Sequence, residues 1–273
     1  MKPHLTLHIR RLSVNYRGRH VLSDLSLPEL YAGELVVLAG PNGAGKSTCL
    51  KALAGLANAS GDVQFAGQDC LAWTARERAQ QIGFMPQILP EDTLLTVLEA
   101  TLAALRGDGP ISRDEDELRA LRVLDRLDIG ELAMVPLAHL SGGQRQLAAL
   151  AQTIVRGSPL ILLDEPVSAL DLGHQWQVMN VARRLAEEGR IVIVVLHDLT
   201  LAAQWADRIA VVHQSRIHSF GTPAEVITVA ALNEVWGVAA RVGYCELGRP
   251  SVYVDGPARI RSSSSDLKLE NCQ

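Results

Sequence analysis

The sequence predicts an α/β protein whose central strands are parallel and covered on both faces, and three observations predict it. Leu160-Ile161-Leu162-Leu163 and Ile191 to Leu196 are apolar without alternation, the pattern of strands buried between two layers. Helical runs follow them, Gln175 to Glu188 after the first and Leu199 to Ala206 after the second. The apolar stretch Leu35-Val36-Val37-Leu38-Ala39 passes through a glycine-rich turn directly into the helix-compatible segment Thr48 to Ala54. At 273 residues and 48% hydrophobic content, the chain has ample material for a core, as one large domain or two small ones.

From the N-terminus, residues 5–9 alternate as a half-exposed strand, Leu12 to Tyr16 continues in the same style, and Arg17-Gly18-Arg19 makes a turn. Val21 to Leu27 alternates again before a turn at Tyr31-Ala32-Gly33. An antiparallel β region therefore precedes the glycine-rich turn. That turn, Gly40 to Ser47, fits G-x-x-x-x-G-K-[ST] without a gap, between a strand and a helix as the pattern requires. Gly40, Gly43 and Gly45 let it close around a polyphosphate, backbone N–H groups and the helix N-terminus supply donors, and Lys46 reaches β- and γ-phosphates. Ser47 is placed to ligate Mg²⁺. Beside such a site Tyr16 is either a base-stacking aromatic or an ordinary strand aromatic, and spacing leaves both open.

Asp62 to Gly67 reads as strand and turn, and Thr74-Ala75-Arg76-Glu77 is a capping box opening a short helix through about Gln81. Ile82 to Met85 returns to strand and ends at Pro86-Gln87. From Pro90 to Val155 the pattern is helical, with capping boxes at Thr96/Glu99 and Ser112/Glu115 and with Leu118, Leu121, Leu124 and Leu127 on three-residue spacing. The charged run Arg113 to Glu117 reads as a solvated helix start. Ser141 and Gln144 repeat the box spacing, so Leu140-Ser141-Gly142-Gly143-Gln144 opens a helix of its own. It is either a plain capped start or a second anion site facing a γ-phosphate held by another copy.

Asp164 and Glu165 end the 160–163 strand, where a phosphate-loop enzyme needs a metal-holding aspartate and an acid that polarises water. Arg208 to His213 is strand-like, and Thr222-Pro223-Ala224-Glu225 starts another helix. The chain is less readable from there, and Ser262 to Ser265 begin a polar tail expected to be disordered.

No run approaches the roughly 18 apolar residues that span a bilayer. Met1-Lys2-Pro3-His4 leads into alternation rather than an apolar signal core, so the expectation is a cytoplasmic chain that does not itself cross a membrane. Cys49, Cys70, Cys245 and Cys272 form no C-x-x-C pair and no metal-spaced cluster, which predicts reduced thiols, with Cys49 packed behind the phosphate loop. A net charge of −4 argues against a nucleic-acid partner.

In this order the motifs resemble those of the ATP-binding cassette (ABC) ATPases, over roughly residues 5–235. Tyr16 matches the family's adenine-stacking aromatic, residues 40–47 its phosphate loop, Gln87 its Q-loop and residues 140–144 its signature. Residues 164–165 match its acidic strand end, Ser168-Ala169-Leu170-Asp171 its D-loop and His197 its switch. The resemblance implies a P-loop NTPase (RecA-like) core with an N-terminal antiparallel β subdomain and an α-helical subdomain at about 88–156. These lie in a domain of residues 1–240, followed by a C-terminal extension over 241–273 that holds the polar tail.

The resemblance also implies ATP and Mg²⁺ as ligands. Gly40, Pro41, Asn42, Gly43, Ala44, Gly45, Lys46, Ser47 and Thr48 would surround the phosphates, with Ser47, Gln87 and Asp164 at the metal. Glu165 would act as general base, worth about 10²–10⁴-fold, while His197 contacts the γ-phosphate and Gln87 senses metal and water. Ser141, Gly142, Gly143, Gln144 and Asp171 would reach ATP across a dimer of two copies. The implied partners are that second copy, a membrane permease and, indirectly, an extracytoplasmic substrate-binding protein, at the cytoplasmic face of the plasma membrane.

Asp171-Leu172-Gly173-His174-Gln175, His197 to Arg208 and Gly221 to Val226 resemble the importer branch for iron–siderophores, haem and cobalamin. The expected cargo is a siderophore-type iron chelate, with haem or cobalamin as alternatives. Where siderophore members often have Gly-Arg-x-Pro, this chain reads Ala104-Leu105-Arg106-Gly107, and Val167 replaces a common threonine. A phosphate-loop kinase would not explain Ser141 or His197, and a nucleotide-binding regulator would not need Glu165. A relative acting on DNA or ribosomes would carry a long insertion or a second set of motifs.

Overall fold

The first two strands are longer than alternation suggests. In a computed structural model, which describes residues 5–258 apart from 17–18, 88–92, 106–112 and 169, β1 (Thr6–Tyr16) and β2 (Arg19–Tyr31) pair antiparallel. The turn at 17–18, the Ser112 cap and the 262–265 tail lie outside the described residues. The two expected pieces of β1 are one strand, bent where Arg11 takes φ 51° and the register shifts. After β3 (Leu35–Ala39) and α1 (Lys46–Leu53), β4 (Ala59–Phe65) and β5 (Gln68–Asp69) complete a four-stranded sheet of order β2-β1-β4-β5. Gly61 crosses the bend in β1 at φ +134°, and a Cβ there would stand 2.6 Å from the Arg11 carbonyl oxygen. Gly61→Ala is therefore expected to cost about 2–3 kcal/mol, read as a lower melting temperature; an unchanged melt would contradict the strain.

The chain continues through α2 (Ala75–Gln81), β6 (Ile82–Met85), α3 (Val97–Leu105), α4 (Arg113–Arg126), α5 (Gly142–Ile154) and β7 (Leu160–Asp164). Then come α6 (Leu172–Glu187), β8 (Ile191–Val195), α7 (Leu199–Trp205), β9 (Arg208–His213) and β10 (Arg216–Gly221). The second sheet has order β10-β9-β3-β8-β7-β6, parallel except where β10 joins β9. Its apolar runs serve two cores. Val36 and Leu38 of β3 pack with the antiparallel sheet and α1, while Leu35, Val37 and Ala39 pack with residues of α5, α6 and α7. Strands covered on both faces have no polar side to alternate with.

Capping boxes mark the helix starts as the sequence predicts: Glu77 accepts from the Thr74 N–H at 2.8 Å, Glu99 from Thr96 at 2.8 Å and Glu225 from Thr222 at 2.8 Å. Two expectations in α4 fail. Leu118 is 49% exposed while Leu124 and Leu127 are buried, because a strict three-residue spacing drifts around a 3.6-residue helix. Asp116, expected in solvent with its charged neighbours, is 3% exposed.

Past α8 (Pro223–Val226) and α9 (Val229–Trp236), the chain forms a hairpin of β11 (Val238–Tyr244) and β12 (Pro250–Pro257). Val238, Val242 and Val252 turn its inner face onto the core that holds α7. The Val252 N–H donates to Thr200 Oγ1 at 3.2 Å, and the Arg249 guanidinium, just before β12, donates to the Gln204 carbonyl, so the hairpin is tied to both ends of α7. Among the described residues, no helix is long and apolar enough to cross a membrane.

Candidate nucleotide site

Four adjacent parallel strands, β3, β8, β7 and β6, deliver the sequence-predicted residues at their carboxyl ends. This is where open α/β sheets hold ligands. The loop after β3 carries positive φ at Gly40, Gly43 and Gly45. Gly40 lies so close to β9 that a Cβ would stand 2.1 Å from the Val212 carbonyl oxygen, and one on Gly45 would stand 2.4 Å from Leu22. The loop is thus pressed between β9 and β2, which fixes the direction of its N–H groups.

Lys46 is 5% exposed, and its Nζ donates to the Gly40 carbonyl at 2.8 Å and to that of Pro41 at 2.9 Å. Two of three ammonium donors are thereby fixed by the loop. Burial lowers the Lys46 pKa below the ordinary lysine range, while the Glu165 and Asp164 carboxylates act in the opposite sense. Ser47 Oγ donates to Asp164 Oδ1 at 2.7 Å. Asp164 is 1% exposed, and burial raises its pKa against the hydrogen bond from Ser47 and the nearby Lys51 charge. Its Oδ2 is buried with no hydrogen-bond partner among the described residues. An orphaned carboxylate oxygen beside a hydroxyl is a set of hard oxygen donors, which fits Mg²⁺.

Glu165, one residue past β7, takes φ 52°, left-handed backbone that a non-glycine residue holds only under constraint. Its carboxylate joins two neighbouring strand ends: Gln87 Nε2 donates to Oε2 at 2.7 Å, and His197 Nε2 lies 2.5 Å from Oε1. His197 follows β8, and Asp198 after it caps α7 by accepting from the N–H groups of Thr200 and Leu201. Gly40, Pro41, Asn42, Gly43, Gly45, Lys46, Ser47, Thr48, Gln87, Glu165 and His197 line one cleft of about 890 Å³. Ala44 instead packs into the core, its N–H donating to the Pro41 carbonyl.

The remaining candidates lie elsewhere. Tyr16 ends β1 opposite Arg19, and its side chain is outside the described residues. Ser141 caps α5, accepting from the Gln144 N–H at 3.3 Å while Gln144 Oε1 accepts from the Ser141 N–H at 3.0 Å; Ser141 and Gly142 are exposed. Gly143 sits under the His174 ring, 2.8 Å from where a Cβ would be. Asp171 caps α6, and the His174 N–H, then the His174 ring, hold its carboxyl below the usual carboxylate range. Residues 141–144 and 171 thus form an exposed pair of helix starts outside this chain's own cleft. Cys49 is buried behind the loop, and burial pushes its thiol up to about 12, consistent with an inert packing role.

Two cleft residues escape the sequence patterns. Val21 reads only as a strand position, and Trp236 closes a short apolar helix in the least legible part of the chain. No local signal separates Trp236 from an ordinary core aromatic.

Comparison with known proteins agrees with this geometry. Residues 22–168 match the model of a family described as ABC transporter. The chain is 42% identical over 238 residues to the hemin import ATP-binding protein HmuV of Rhodococcus jostii (strain RHA1), covering 85% of this chain and 80% of that protein. It is 39% identical over 251 residues to the protein of the same name from Myxococcus xanthus (strain DK1622), covering 87% and 92%. A solved ABC transporter in an inward-facing conformation superposes with TM-score 0.76 at 26% identity, covering 92% of this chain and 97% of that one. With more than half of its length inside the family model and most of it matched at about 40% identity, this chain belongs to the ABC transporter family, as an ATP-binding, ATP-hydrolysing domain.

Proposed function

We propose that this ABC importer ATPase powers the uptake of hemin, as two copies that close on ATP beneath a membrane permease. The observation that carries the hydrolytic part is the Glu165 carboxylate, held between Gln87 and His197 at the mouth of the phosphate loop. The loop N–H groups and Lys46 hold the β- and γ-phosphates. Glu165 takes a proton from the attacking water as the water oxygen bonds to the γ-phosphorus and the bridging bond to ADP breaks. His197 steadies the γ-phosphate. Ser47 and Asp164 would hold Mg²⁺, which when bound neutralises phosphate charge.

The exposed helix starts at Ser141 and Asp171 are of no use to their own cleft, and this supports a second copy. There the Ser141 helix would supply donors to a γ-phosphate on the facing subunit. Hydrolysis removes that bridge and lets the pair part, a population shift that does work when a permease is attached. Gln87 stands where β6 gives way to the helical region, placed to pass closure on. A peripheral position at the cytoplasmic membrane face, with a substrate-binding protein outside, follows from the same reading.

Hemin is preferred over the siderophore expected from the motifs because the relatives that share about 40% of the sequence carry hemin import in their names. The motif stretches that suggest siderophores do not touch cargo. The test is uptake into vesicles holding the complete transporter, with hemin, a ferric siderophore and cobalamin offered separately. ATP-dependent accumulation of hemin alone is the expected result. Siderophore accumulation without hemin would overturn the cargo and leave the ATPase intact.

A further inference from the structure

The nucleotide cleft has one wall that none of the motifs supplies. Trp236, the last residue of α9, lines it together with Lys46, Gln87, Glu165 and His197. The ring is half-buried and packs in part against the core shared with α7. Loop backbone and polar groups make up most of the remaining lining, so an indole there is an exception: a broad apolar plane with a single N–H donor.

Several contacts fix this position. Gly237 takes φ 66° and donates its N–H to the Asn233 carbonyl at 3.0 Å, so α9 stops at Trp236 and the chain turns at once into β11. The hairpin closes back on the same turn, the Ala258 N–H donating to the Gly237 carbonyl at 2.8 Å. Earlier in α9, Glu234 lies 3.4 Å from His218 Nε2 of β10. The hairpin is bonded to Thr200 and Gln204 of α7, the helix that begins two residues after His197. Trp236 and His197 therefore reach one cleft from a single packed unit made of α7, α9 and the hairpin.

We propose that Trp236 is a nucleotide-contact residue: bound ATP packs against its indole, which makes the C-terminal segment part of the ATP site. This goes beyond ATP hydrolysis by the motif residues and is independent of the cargo. Desolvation of the ring against nucleotide predicts a binding contribution and an optical one. Trp73, Trp176 and Trp205 do not line the cleft, but Trp176 is 59% exposed on α6, beside the Asp171 start that would face a second copy. With Trp176 replaced by Phe, a change of tryptophan emission on nucleotide binding should therefore originate at Trp236.

The experiment uses the full chain and ATP itself. Saturating ATP is expected to change the emission of the Trp176→Phe protein, and the change should vanish when Trp236→Phe is added. Trp236→Ala should raise KM for ATP about ten-fold with kcat altered less than about two-fold, and Trp236→Phe should bring KM back to within about three-fold of native. A merely structural Trp236 would lower kcat or melting temperature and leave KM unmoved. Emission of the Trp176→Phe protein that ignores ATP, an undiminished change when Trp236→Phe is added to it, or a native KM in Trp236→Ala would each overturn the proposal. Should Trp236→Ala not fold, the emission comparison with Trp236→Phe decides alone.

Discussion

Glu165→Gln is expected to stop multiple turnover while ATP stays bound, with the hydrolysis rate falling about 10²–10⁴-fold. The amide has the shape of the carboxyl group. Its oxygen can still accept from Gln87 Nε2, and its N–H₂ takes the place of the oxygen that faces His197 Nε2, so the side chain keeps its position between the two. What disappears is a base able to take a proton from water. Because the arrangement persists, the loss would be chemical rather than positional. With ATP present the variant should run as a dimer in size-exclusion chromatography. Steady hydrolysis at the native rate would remove Glu165 from the base role.

Lys46→Ala acts one step earlier. It deletes the cation at the phosphates and leaves the Gly40 and Pro41 carbonyls without their 2.8 and 2.9 Å donor. A hydrogen bond to a charged group is worth about 1.5–3 kcal/mol, so the Kd for ATP should rise roughly 10–100-fold. Equilibrium titration with a fluorescent ATP analogue reads this directly, and a thermal melt of the nucleotide-free variant should show that the fold persists despite the two carbonyls left without a donor. The two variants therefore separate: one binds without turning over, the other fails to bind. An unchanged Kd in Lys46→Ala would mean that the loop N–H groups hold the nucleotide unaided.

The site was legible wherever chemistry is local in sequence. The phosphate loop, the acids after β7 and the Ser141 box are each a few consecutive residues whose types carry their own reason. The same holds for β7 and β8, whose unbroken apolar runs could only be buried on both sides. Legibility failed where the third dimension decides. The bend at Arg11 depends on Gly61, a residue of another strand. The burial of Asp116 goes against its own charge run, and α6 begins at Leu172 rather than Gln175 because Asp171 caps it. Trp236 reaches the cleft only because α9 packs on the hairpin and the hairpin on α7, a pairing that no local pattern encodes.

The order of strands in the parallel sheet also governs how the site comes into being. Gln87, Glu165 and His197 meet only once β6 has found β7 and β7 has found β8, and the phosphate loop joins them only through the β3–β8 pairing. Each pairing closes a long stretch of chain, and such non-local parallel contacts form late and slowly. A chain emerging from the ribosome carries its complete phosphate loop long before β8 exists, so it holds a phosphate-binding motif with no means of hydrolysis. On the proposed assignment, the catalytic groups that one chain supplies are therefore complete only when β8 has closed, and a half-made chain is expected to consume no ATP.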